Sequence, residues 1–212
     1  MMNMFSRCES LKIITNISYF NTENVVSMSA MFLSCSSLKE LNLSNFDTRN
    51  IRDMSLMFYG CTSLNKLNLS NFNTDNLENM NYMFCRCSSL KKINLSNFNT
   101  NKITYMINIF FECSSLTKVN ISNFNTNNVT DMSNLFCGCS SLKEINLSNF
   151  NTENVTNMVN MFNRCSSLKD INLSNFITDN VYDMSGMFLG CSNELINKIR
   201  TKYKNIRKEA FK

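Results

Sequence analysis

Ten cysteines are the residues of this chain whose type and spacing could support metal or redox chemistry. Cys85 with Cys87, and Cys137 with Cys139, form two C-x-C pairs that lie 52 residues apart in a chain that repeats every 26 residues. One tetrahedral zinc needs four ligands with bonds of about 2.3 Å. Two stacked repeats separate the pairs by about 10 Å, so the spacing does not predict a shared zinc site or any other cofactor.

The cysteines also belong to a regular series. A cysteine recurs every 26 residues from Cys35 to Cys191, and Cys8 precedes Cys35 by 27 residues. Met28 and Phe32 begin further columns, a column being the set of residues that lie 26 apart. Equivalent Cβ atoms in stacked repeats would lie about 4.8 Å apart, wider than the ~3.8 Å of a disulfide. We therefore expect buried thiols in an apolar core, with some disulfides or a metal as the alternatives.

Two periodicities alternate within each repeat. Residues 41–44, Leu-Asn-Leu-Ser, alternate apolar and polar as a half-buried strand does. Met54, Met57, Phe58 and Cys61 have the spacing i, i+3, i+4, i+7 of one face of a short helix. Glycines stand where such a helix would end: Gly60, Gly138 and Gly190. The sequence predicts an α/β solenoid of about seven 26-residue strand–short-helix repeats, because periods of this size are typical of stacked repeats.

The last twenty residues break the repeat. Apolar residues there follow the spacing 3, 4, 3, 4 of an amphipathic helix: Ile196, Ile199, Tyr203, Ile206 and Ala210. We expect two units, a solenoid over 1–192 and a basic amphipathic capping helix over 193–212, because a solenoid needs a polar-backed end. Binding of this basic tail to an anionic membrane or to nucleic acid is the less favoured alternative. The start of the chain, around Met1, Met4 and Phe5, lacks a comparable cap.

Charge and hydropathy narrow the class of protein. The net charge of +5 lies in residues 192–212, because the preceding residues carry 14 basic and 14 acidic side chains. Nucleic acid is therefore not the expected partner of the repeats. No run of about 18 apolar residues predicts a membrane span, and M-M-N-M-F-S-R-C lacks the features of a secretory signal.

The repeat resembles a known family. Its units, L-x-x-L-N-L-S-N-F-x-T-x-N-V-x-x-M-x-x-M-F-x-x-C-S-S, are similar over residues 1 to about 192 to the leucine-rich-repeat-like units of BspA-type surface proteins of bacteria and mycoplasmas. The resemblance implies a solenoid used for adhesion and protein binding. It implies a cell-surface or secreted location, with a cytoplasmic one left open because no signal peptide is visible. It carries over no catalytic residue.

Recognition is best sought where outward positions vary between repeats. The residue just before each alternating strand segment differs from repeat to repeat: it is Glu40, Lys66, Lys92, Lys118, Glu144 and Asp170 in turn. Together with Lys91, this predicts a basic strip on the sheet face, next to the outward Asn68, Asn94 and Asn120. The strip would bind an acidic protein or glycan; the alternative is a solvated face of exposed charge.

The chain offers little for catalysis. It contains no histidine, no Gly-rich phosphate loop and no carboxylate pair outside the repeat. We therefore predict that it is not an enzyme. A non-catalytic binding or adhesion module is the favoured function, and a structural subunit that self-associates through the uncapped N-terminal edge is the alternative.

Overall fold

Short parallel strands lie in four consecutive repeats of the computed structural model, which describes residues 1–212. The strands are β1 (Glu40–Asn42), β2 (Lys66–Asn68), β3 (Lys92–Asn94) and β4 (Lys118–Asn120). The α-helix α1 (Asn193–Lys202) and two 3-10 helices, Ile17–Tyr19 and Lys208–Phe211, complete the elements. Backbone hydrogen bonds join residues about 25 apart along the chain, so each repeat stacks on the next and the architecture is a repeat solenoid.

The strands show the predicted alternation. β1 pairs with β2 and β3 pairs with β4, both in parallel. Leu41 and Ile93, the middle residues of their strands, are buried, while the residues on either side of them are exposed. The chain turns at the serine two residues after each strand, and the alternation continues up to that turn, because Leu43 and Leu95 are buried as well.

The predicted short helix is wrong. Residues 54–61 form successive turns instead, with hydrogen bonds such as Met57 N to Met54 O. Every second backbone N–H in this segment donates to the neighbouring repeat instead: the Phe58 N–H donates to Met83 O at 2.9 Å. An α-helix would direct these amides to the carbonyl four residues back. Bonding to the neighbouring repeat satisfies them equally well and also holds the stack together.

Left-handed residues make these turns possible. Leu56 and Gly60 have φ of 58° and 69°, and similar pairs recur four residues apart in the other repeats. Many of these positions carry Asn or Gly, which tolerate positive φ best: Asn108, Asn134, Gly138, Asn160, Gly186 and Gly190. A Cβ at Gly60 would also lie 3.3 Å from Ser34 Oγ. Asn and Gly at these positions therefore indicate turns, whereas the sequence predicted helix ends at Gly60, Gly138 and Gly190.

The core is a continuous stack of apolar columns. Neighbouring phenylalanine rings lie 5.3 to 5.9 Å apart from Phe5 to Phe211. Phe32, Phe58 and their equivalents to Phe188 are fully buried, and aromatic pairs add to the free energy of burial. The Met and Phe columns are therefore core, as the periodicity predicted.

Threonine and asparagine columns satisfy the backbone at the corners. Buried Thr126 donates from Oγ1 to Asn151 O at 2.7 Å and accepts from Asn151 N at 2.8 Å. Asn149 donates from Nδ2 to Phe124 O at 2.7 Å. Both columns bond backbone groups of a neighbouring repeat. These columns therefore stabilise the corners of the solenoid.

One boundary between repeats is less well bonded than the others. Isolated bridges link Ser27, Asp53 and Asn79 on one side and Tyr105, Asp131, Asn157 and Asp183 on the other, but none joins Asn79 to Tyr105. In the neighbouring series of backbone hydrogen bonds, an N–H of each repeat donates to the equivalent carbonyl of the repeat before it. This series also stops at the same boundary, because Thr104 N does not donate to Glu78 O. We call this boundary the seam.

The seam has a chemical cause. The other bridging residues are Ser, Asp or Asn, and their side-chain oxygen accepts the N–H two residues on. Tyr105 lacks such an acceptor. Asn81 Oδ1 of the preceding repeat accepts from Ile107 N at 2.8 Å in its place, and this bond spans the seam.

The C-terminal helix is shorter than predicted. It begins after Ser192, whose Oγ accepts from Leu195 N at 3.2 Å, and ends at Lys202 rather than 212. The chain then turns back across the last repeat, where Ala210 O accepts from Phe188 N at 2.7 Å and Phe211 extends the phenylalanine stack. The helix stops early because residues 203–212 occupy the position of a further repeat.

Candidate binding face

The outward residues of β1 to β4 form one surface, here called the strand face. Lys66, Lys92 and Lys118 begin consecutive strands and are exposed, and Lys91 beside Lys92 is exposed as well. These four lysines are the predicted basic strip. Because strand residues on either side of a buried one point the same way, the strand residues of the strip lie on the same side as Asn68 and Asn94.

Charge is unevenly balanced along the strip. Glu40 lies opposite Lys66 in the β1–β2 register and forms an ion pair with it at 3.4 Å. Lys92 lies opposite Lys118 in the β3–β4 register, and neither lysine forms an ion pair. Like charges directly opposite one another on a sheet are destabilising. The strip therefore carries uncompensated positive charge at β3 and β4.

The asparagines of the strand face are less available than the sequence indicates. Asn68, Asn94 and Asn120 each accept the amide of the serine two residues on, at 3.0, 3.1 and 3.2 Å. Asn120 is also half-buried. Their Oδ1 atoms hold the turn that ends each strand, so these asparagines offer a partner mainly their Nδ2 donors.

A groove of about 680 Å³ lies at one end of the strip. Lys66, Lys92 and Glu40 line it together with Ile13 and Ile14. A second groove of about 380 Å³ lies between Lys118 and Glu144. The sequence reasoning missed the isoleucines. Their signal was the 27-residue step between Cys8 and Cys35, which aligns Ile13 with Glu40 and so places an apolar residue in an outward column.

The cysteines are placed for packing. Nine are buried as predicted, but Cys8, which lies in the first of the described repeats, is exposed. Cys61 donates its thiol to Phe32 O at 3.1 Å, and the same bond recurs along the column. Burial raises the pKa of Cys35 to about 11 and that of Cys85 to about 12. These thiols stay protonated at neutral pH, the opposite of an activated nucleophile.

Sequence comparison assigns the chain to a family. The model of a family described as "Mycoplasma protein of unknown function, DUF285" matches residues 1–118 and 104–208. No curated protein matches the chain. None of the helices is both long and apolar enough to span a lipid bilayer.

Solved structures of leucine-rich repeat proteins resemble the fold. The T. pallidum leucine-rich repeat protein TpLRR is 22% identical with a TM-score of 0.52, over 80% of this chain and 70% of that one. A leucine-rich repeat protein from Bacteroides ovatus is 20% identical, with a TM-score of 0.48 over 99% and 61%. A leucine-rich cell surface protein from Faecalibacterium prausnitzii is 20% identical, with a TM-score of 0.46 over 66% and 34%. The TpLRR match supports the leucine-rich-repeat fold.

Proposed function

We propose that this chain, which belongs to the DUF285 family of Mycoplasma proteins of unknown function, is a non-catalytic binding module whose strand face contacts an acidic partner. The family and its likeness to BspA-type surface proteins also favour a role in adhesion at the cell surface.

The observation that carries the proposal is the pairing of Lys92 with Lys118. Two lysines in register on adjacent strands repel each other at a cost of roughly 0.2–1 kcal/mol. Two repeats earlier, Glu40 stands opposite Lys66, so that an ion pair takes the place of the repulsion. A carboxylate supplied by a partner would do the same at β3 and β4, so the free protein gives up some stability at a place where an anion would restore it.

Charge reversal separates binding from folding. Lys92→Glu places a carboxylate opposite Lys118 and should raise the free energy of unfolding by a few tenths of a kcal/mol. A unit charge pair about 4 Å apart contributes about 1 kcal/mol in water, so the double variant Lys92→Glu/Lys118→Glu should weaken binding of an acidic polymer at least about tenfold. Titration calorimetry with poly-L-glutamate and with heparin, at low and high salt, measures this effect.

The control is Lys169→Glu/Lys204→Glu, which makes the same change of net charge at two exposed lysines that lie two or more repeats beyond Lys118. This control should lose less than about twofold in affinity, because distant exposed charges are screened by salt. Equal losses in both double variants would mean that net charge alone drives binding, and would exclude the strip. Absence of binding by the wild-type protein to both polymers at low salt would exclude an acidic partner.

We further propose that residues 193–212 form the terminal unit of the solenoid. Its support is that the segment supplies the partners which a further repeat would supply. Asn205 O accepts from Thr178 Oγ1 at 3.0 Å, and the side-chain Nδ2 of Asn205 donates to Phe176 O at 2.7 Å. Tyr203 Oη accepts from Leu173 N at 3.1 Å. Exposed basic residues then face water on the outer side, as a solubilising cap requires.

A further inference from the structure

We propose that the groove between Ile13 and Lys92 binds an extended polypeptide segment that carries an aliphatic side chain followed by acidic residues. This inference rests on the proposed function and adds the class and the spacing of the ligand. The groove, about 680 Å³ in volume, lies within the range typical of ligand sites.

One end of the groove is apolar. Ile13 is 65% exposed and lies outside the core cluster, while the half-buried Ile14 packs against the core. Ile13 occupies the outward position that Glu40 and Lys66 take in the next two repeats. An exposed isoleucine is common on protein surfaces, but this one lines a groove together with Leu41 and Leu67. The groove therefore offers aliphatic contact at one end and positive charge at the other.

The chemistry of the lining favours a polypeptide over a glycan or a nucleic acid. No aromatic side chain lines the groove, so it lacks the flat faces on which rings stack. Asn42 and Asn68 in the lining use their Oδ1 atoms to hold turns. What remains is aliphatic surface, the Glu40 carboxylate, which is paired with Lys66, and the ammonium group of Lys92. This lining suits an aliphatic side chain at one end and carboxylates at the other.

The repeat sets the spacing of the ligand groups. Ile13 and Lys92 are three repeats apart, about 14 Å along the stack at about 4.8 Å per strand. An extended chain advances about 3.3 Å per residue. A ligand lying along the solenoid axis would therefore place its first acidic residue about four residues from its aliphatic residue. A second acidic residue, about two residues further on, would reach Lys118. Glu40, which lies between, disfavours an acidic residue directly after the aliphatic one.

Three peptides of equal length test this arrangement by fluorescence anisotropy: Leu-Ser-Ser-Ser-Glu-Ser-Glu, the same peptide with Ser for Leu, and the same peptide with Gln for both Glu. The Leu–Glu peptide should bind about fivefold or more tightly than its Ser counterpart, because an aliphatic side chain is partly buried. Ile13→Ser should remove that advantage and leave the binding of the Ser peptide unchanged. Ile177→Ser, at another exposed isoleucine, is the matched control and should have no effect.

The variants distinguish this inference from the proposed function. Equal binding of the Leu and Ser peptides, with Ile13→Ser silent but Lys92→Glu disruptive, would overturn the groove inference and leave the basic strip in place. A silent Lys92→Glu/Lys118→Glu variant would overturn both. Tighter binding of heparin or of an oligonucleotide than of the Leu–Glu peptide, independent of Ile13, would assign the face to a different class of ligand and overturn the inference.

Discussion

The threonine column allows a quantitative test of how neighbouring repeats hold together. Thr126 is 1% exposed, and its hydroxyl makes two bonds to Asn151 of the next repeat, at 2.7 and 2.8 Å. Thr126→Val keeps the shape of the side chain but leaves both the N–H and the C=O of Asn151 without their partner. Each unsatisfied buried group costs about 1–3 kcal/mol, so the variant, which leaves two, should lose about 2–6 kcal/mol of unfolding free energy.

Thr74 provides a matched control within the same column. It is equally buried, but it borders the seam and makes one such bond, accepting from Asn99 N at 2.7 Å without donating to Asn99 O. Thr74→Val should therefore cost about half as much as Thr126→Val. Thr126→Ser, which keeps the hydroxyl, should recover most of the loss.

Urea unfolding followed by circular dichroism measures these differences as shifts of the midpoint at constant m value. The m value must be compared between variants, because repeat arrays can lose cooperativity when one boundary is weakened. Equal losses for Thr74→Val and Thr126→Val would contradict the bond count. A loss below about 0.5 kcal/mol for Thr126→Val would show that water replaces the hydroxyl and would refute the reasoning.

Two further predictions concern the thiols and the seam. Burial raises the pKa of Cys35 to about 11 and that of Cys85 to about 12 from an ordinary value of 9.0, so the unfolded chain loses these protons at lower pH than the folded protein does. The urea midpoint should therefore stay level below pH 9 and fall between pH 9 and 11. A midpoint that rises in this range would contradict the burial of these thiols. At the seam, hydrogen exchange should be faster at the Met80 and Thr104 amides than at the equivalent Met54 and Thr130 amides, which are hydrogen-bonded. Tyr105→Asn restores the missing acceptor and should slow the exchange. Equal exchange rates in the wild-type protein would show that this boundary is bonded as well as the others.

Much of the architecture could be predicted because a strict repeat gives equivalent residues equivalent surroundings. The Cys35 and Phe32 columns were predicted to belong to the core from their recurrence alone, and they are buried. The outward lysines were predicted from alternation within the strand, and they are exposed. Cys8 departs from its column, because it is exposed whereas the other members are buried.

The failures share a physical reason. The spacing of Met54, Met57, Phe58 and Cys61 fits a helix and a series of turns equally well, because both return an apolar side chain to the core every three to four residues. Whether a helix or turns form depends on which carbonyls accept from every second backbone N–H. In this fold the acceptors are carbonyls of the neighbouring repeat, so turns form. Likewise, the groove beside Ile13 arises only when separate repeats are stacked.

The period, the buried columns and the charge order along the strand face could therefore be predicted from the sequence, since each of these follows from residue type at a recurring position. The turns that replace the helix, the weaker bonding at the seam and the passage of residues 203–212 across the last repeat became evident only from the stacked repeats. These features depend on hydrogen bonds between residues about 25 apart, and local periodicity carries no information about partners at that distance.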